Sequence, residues 1–169
     1  MKKLIAIIIL SLCLAIPSQA DDISDFQIEG MSIGDSALDF YSEKEILQKK
    51  SKTFNNKLFY VSNLESLSKK YDYFQVIYDP KKFIIHGLEG IKNFTYIDDC
   101  LSKQKEIITE LNDMFSSFEK GDLRKDGNTT FIRYRSRKND SIIIACRDTK
   151  KNIDLRVLLR TKAFENSFK

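Results

Sequence analysis

Residues 129–160 read TTFIRYRSRKNDSIIIACRDTKKNIDLRVLLR, and this stretch decides the fold. In 129–137 the apolar Ile132 and Tyr134 alternate with Arg133 and Arg135, and in 153–160 Leu155, Val157 and Leu159 alternate with Arg156, Leu158 and Arg160. A period of two places one set on a core face and the other outward, so both segments predict strands. Residues 141–147 between them fit the same scheme if Ile142, Ile144 and Cys146 point inward. Ile143 is then outward, either covered by another element or part of an exposed patch. Three adjacent strands with short polar connections predict an antiparallel sheet.

Upstream, residues 98–118 repeat apolar residues at Leu101, Ile107, Ile108, Leu111, Phe115 and Phe118 before Gly121, the spacing of a helix with one buried stripe. Lys103, Lys105, Glu106, Glu110 and Asp113 occupy its other faces. Residues 73–78 and 82–86 predict a hairpin about Asp79-Pro80-Lys81, since Pro80 presets a turn and has no N–H for a ladder. Residues 91–96 supply another strand once Gly87 and Gly90 break the chain. Residues 58–61 predict a strand, 49–56 a polar connector or helix end, and 63–70 a surface turn or short helix. Near the start, 26–30 reads as a short strand before a Gly30–Gly34 turn. Asp35 or Ser36 then caps a helix that breaks near Tyr41 and restarts at the Ser42/Glu45 capping box. The expected fold is α+β: a predominantly antiparallel sheet of about five or six strands, packed by one long helix, with a shorter N-terminal helix.

The first 20 of the 169 residues differ from the rest. Lys2 and Lys3 precede an apolar run from Leu4 to Ile16, and Ser18-Gln19-Ala20 offers small residues before a cut, the pattern of a cleavable signal peptide. Thirteen apolar residues at about 1.5 Å each fall short of a hydrocarbon layer of roughly 30 Å. A lipoprotein reading centred on Cys13 meets Leu12 where a small residue is favoured. The expectation is a leader over 1–20 and one domain over 21–169, located in the periplasm or secreted. About 150 residues are enough to bury roughly 68–70% of the unfolded chain's surface.

Removing the leader leaves Cys100 and Cys146, which an oxidising compartment allows to pair. The bridge would close a loop of about 46 residues, worth about 4 kcal/mol in the chain-entropy model. The alternative is two separately buried thiols.

Chemistry is harder to find. His86 is the sole histidine, so no multi-histidine metal site exists, and a structural role before Gly87 competes with a small hydrolase built around it. No serine sits in a nucleophile elbow, Asp98-Asp99 and Glu43/Glu45 are explained as helix-start acids, and the glycines match no phosphate-binding fingerprint. No catalytic residue and no cofactor are expected.

Charge is the uneven feature. All seven arginines lie in 124–160; residues 121–169 carry 13 basic against six acidic residues, and residues 21–120 carry 13 against 18. Arg133, Arg135, Arg137, Arg156 and Arg160, joined by Arg147 if strand order permits, form a candidate face for an anionic surface or an acidic protein of the envelope. The competing reading is that they neutralise the acidic half and keep exposed strands from aggregating. The near-neutral whole, at +2 without the leader, argues against nucleic acid.

Residues 26–46, centred on Ile28-x-Gly30-Met31-x-Ile33-Gly34-Asp35-Ser36, resemble the N-terminal segment of uncharacterised small exported proteins of marine alphaproteobacteria. That resemblance implies no particular activity or ligand. The glycine-hydrophobe turn leading into a helix is also similar to that of SmpA/OmlA-like outer-membrane assembly lipoproteins, over about a dozen residues. This implies a small envelope domain acting through protein contacts, with no site residue carried over. The resulting expectation is a noncatalytic envelope-associated protein.

Overall fold

Glu29 and Gly30 both adopt positive φ, 59° and 80°, and Ile28 and Met31 on either side exchange two backbone hydrogen bonds of 3.0 Å. These are the marks of a tight hairpin tip. The expected strand over 26–30 is therefore a turn with a single bridge. The computed structural model describes residues 22–54 and 59–168, and the expected leader with Cys13 lies outside them. Ser36 caps a 3-10 turn at Ala37–Asp39. Ser42 and Glu45 then form the expected reciprocal capping box and start α1 (Glu43–Gln48).

The chain continues as β1 (Lys50–Phe54), β2 (Phe59–Leu64), β3 (Tyr73–Tyr78) and β4 (Ile85–Phe94), then α2 (Ile97–Met114). After it come β5 (Glu119–Lys120), β6 (Arg124–Asp126), β7 (Thr129–Arg135), β8 (Ser141–Asp148), β9 (Ile153–Arg160) and the single-turn α3 (Lys162–Glu165). All strands join one antiparallel sheet in the order β1-β2-β3-β4-β9-β8-β7, with β5 and β6 both on the outer edge of β7. Among the described residues the sheet has nine strands, not five or six. The α+β character, the long helix and the smaller N-terminal helix are as expected.

Two physical reasons account for the strand count. The added edge strands, KSKTF, EK and RKD, have no apolar alternation, because backbone pairing to a neighbour, not burial, makes them strands. At β4 the error runs the other way: segments 82–86 and 91–96 were expected apart, yet residues 85–94 form one strand through both glycines. A Cβ on Gly87 would lie 3.1 Å from Leu159 O and 2.6 Å from Ile77 Cδ1, and one on Gly90 would lie 2.5 Å from the Tyr71 ring. These glycines mark close approaches inside a strand, not breaks in it.

One face of the sheet carries the core. Leu88, Leu155, Val157, Leu159, Ile142, Ile144, Ile132 and Tyr134 pack there with Leu111 and Phe115 from α2 and its end, and with Ile23, Ile28 and Met31. Cys100 in α2 is bonded to Cys146 in β8 across a Cα separation of 6.0 Å, which staples helix to sheet. Gln104, also buried, donates to the carbonyls of Thr130 (2.9 Å) and Ile144 (3.1 Å), so the helix is pinned to β7 and β8 by side chain as well as by packing.

Candidate functional site

The opposite face of the sheet carries arginines. Cross-strand partners share a face, and the register aligns Arg135 with Ser141, Arg160 and Gly87, and Arg133 with Ile143, Leu158 and Glu89. The next row holds Arg124, Phe131, Ala145, Arg156 and Ile91, and the last holds Thr129, Arg147, Asp154 and Asn93. Arg133, Arg135, Arg147, Arg156 and Arg160 are thus brought to one face. Arg137 lies beyond the end of β7, exposed in the connection to β8. Arg124 joins the face from β6, a strand too polar to be read from the sequence.

Ile143, Ala145 and Leu158 form a small apolar cluster on this face, 6–7% exposed, with Phe131 against it. In the register they are surrounded by Arg133, Arg147, Arg156 and Arg160. Aliphatic arginine stems can lie over apolar neighbours, and the 6–7% exposure of the cluster shows that it is covered. Ile143 is therefore outward yet covered.

The arginines differ in their electrostatic situation. Arg156 pairs with Glu89, and through Nε with Asp154 Oδ1 at 2.8 Å; Arg147 meets Asp154 Oδ2 at 2.6 Å. Glu89 and Asp154 are buried, 5% and 2% exposed. Burial by itself would raise the Asp154 carboxyl, but the hydrogen bonds and charges of Arg156 and Arg147 outweigh it and hold it below the ordinary carboxylate value. Arg147 and Arg156 are thus committed to neutralising buried acids. Arg160 is half-buried between the charges of Glu89, Glu165, Arg133 and Arg156. Arg133 Nη1 lies 3.5 Å from Glu165 Oε1 of α3. Arg124, Arg135 and Arg137 make no ion pair among the described residues.

The less committed arginines converge on a depression of about 340 Å³ at the edge of the sheet, lined by Arg124, Arg133, Arg135, Phe131, Glu119 and Asp122. Its shape comes from the divided edge: Gly121 N–H bonds Arg133 O at 2.8 Å, and the chain leaves β7 over Asp122–Leu123 before rejoining it at Arg124. Phe131 shares the outward side of β7 with Arg133 and Arg135, a placement not singled out from the sequence. Nothing in the sequence signalled Arg124, Glu119 or Glu165. A second, mainly apolar depression of about 610 Å³ lies between α2 and the same edge, with Leu101, Ile108, Leu123 and Ile132 in its wall.

His86 lies away from both depressions. Its Nδ1 is 3.4 Å from Thr161 Oγ1, and its ring stands edge-on to Phe59 at 5.0 Å between centroids. Burial lowers its pKa, with Asp79 and Asp140 acting in the other direction. These contacts suit a hydrogen-bonded support for the segment that follows β9. No cluster of three or more His, Cys, Asp or Glu side chains able to hold a metal occurs among the described residues, and no helix there is long and apolar enough to cross a membrane. No family model, curated protein or solved structure matches the chain.

Proposed function

We propose that this is a noncatalytic exported protein of the periplasm or cell exterior that binds an acidic segment of an envelope protein. The observation that supports this most is the convergence of Arg124, Arg133 and Arg135 around Phe131 in one depression. Guanidinium groups hold carboxylates through paired donors, and Phe131 offers an apolar floor beside them. A peptide fits this arrangement better than a membrane or polyanionic surface. Glu119 and Asp122 also line the depression and repel an extended sheet of negative charge, whereas a single carboxylate can be held by the arginines beside them. Arg147 and Arg156 add little outward charge, because Glu89 and Asp154 already neutralise them.

The test is fluorescence anisotropy with a fluorescein-labelled peptide of alternating glutamate and phenylalanine, beside vesicles containing anionic phospholipid. The peptide is expected to bind, more weakly as salt rises, and Arg133→Glu with Arg135→Glu is expected to weaken binding about tenfold or more, on the order of 1.4 kcal/mol. Equal binding by the double variant sinks the assignment. Binding to vesicles without binding to the peptide replaces it with a surface-binding role.

A further inference from the structure

The arginine face already holds an aromatic-acidic pair, and it comes from the protein itself. After β9 the chain folds back across this face. Thr161 N–H bonds His86 O at 2.9 Å, and Lys162 N–H bonds Asp140 Oδ1 at 2.7 Å. Thr161 Oγ1 caps α3 by accepting from Phe164 N–H at 3.1 Å. Phe164, 2% exposed, fills a socket of Phe59, Val61 and Ile77, its ring edge-on to Phe59 at 5.4 Å. One residue later, Glu165 Oε1 accepts from Ser141 Oγ at 2.5 Å and faces Arg133 Nη1 at 3.5 Å.

Arg133 therefore belongs both to the depression and to this strap. Its side chain remains 33% exposed and that of Glu165 20% exposed, so the pair is partly solvated. A four-residue helix is far below the length at which a helix stands alone, so docking of Phe164 and Glu165 maintains it.

We propose that α3 is an internal competitor for the partner: the partner presents an aromatic residue followed by an acid, and it binds by displacing Phe164 and Glu165 from the sheet. This rests on the acidic-peptide reading above and specifies the recognised pair. A site occupied part of the time by its own chain binds a ligand with an affinity reduced by the fraction of time it is open. Weakening the strap raises apparent affinity without any new contact.

The probe is a labelled peptide with the strap's own sequence, residues 161–168, added to the full chain. Glu165→Gln and, separately, Phe164→Ala are each expected to tighten binding about fivefold or more. Near-UV circular dichroism establishes that each variant is folded, and the near-isosteric Glu165→Gln carries the test should Phe164→Ala unfold. In the wild-type protein, hydrogen exchange at the Phe164 and Glu165 amides is expected to speed up on saturation with the probe. If wild type binds, Arg135→Glu abolishes binding, and Glu165→Gln leaves both affinity and exchange unchanged, the competitor role is wrong and the arginine site stands. If neither wild type nor Glu165→Gln binds this peptide or the glutamate-phenylalanine peptide, the arginine site itself is wrong and the competitor role falls with it.

Discussion

Asp154 shows how much one residue's neighbours change what it does. By position it is an outward acid on a strand of outward arginines, and β9 reads the same whether that acid is solvated or buried. In the folded protein it is 2% exposed and accepts from both Arg147 and Arg156. Its folded pKa lies below the ordinary value near 3.9, so the unfolded chain binds the proton more readily. Its contribution to stability is therefore fully present above about pH 4 and is lost as pH falls through the folded value. Urea titrations across this range are expected to show a steep acid-side loss of stability that Asp154→Asn flattens. The variant should also cost about 2 kcal/mol at neutral pH, less than a fully enclosed pair because the arginines stay partly solvated. An unchanged acid-side slope in Asp154→Asn would assign that loss to other carboxylates.

At the level of elements, legibility followed burial. α2 and β7 to β9 were readable because each has one face in the core, and burial on one face writes a period into the sequence. β1, β5 and β6 were not readable, since an edge strand of two to five mostly polar residues is defined by its neighbour's backbone. β4 was misread because Gly87 and Gly90 look like punctuation until Leu159 O and Tyr71 are seen against them. The Cys100–Cys146 pair was named as one of two alternatives, and the structure places it between the first turn of α2 and central β8. Cys100→Ala/Cys146→Ala is expected to lower stability by up to about 4 kcal/mol, the chain-entropy value for its loop, with α2 still docked through Gln104 and Leu111. Thermal unfolding of the variant beside the wild type with and without reductant checks this. A melting temperature equal to that of the oxidised wild type would show that packing alone holds the helix.

Across the whole molecule, the sheet is built from two runs, β1 to β4 preceded by α1 and β5 to β9 preceded by α2, joined where β4 pairs with β9. All seven arginines lie in the second run, whereas acidic residues are spread over both, α2 included, and the Arg156–Glu89 pair crosses the seam between the runs. Such a layout places β4, β8 and β9 in the interior of the sheet and β1, β5 and β6 at its margins. Amide exchange is expected to be slowest in the first group and fastest in the second. Comparable protection at the β1 edge would contradict the strand order.

From the sequence alone followed the α+β class, the long helix, the three arginine-bearing strands and the outward side on which their arginines stand. Alternation and helical period record burial locally, within a few residues. Which arginines are neutralised, which line a depression, and that Glu165 meets Arg133 while Phe164 docks on β2 and β3 depend on residues distant in the chain. Arg156 meets Glu89 across 67 positions, and α3 returns over β2, β3 and β8. Those contacts arise from strand order and register, and only the tertiary structure decided them.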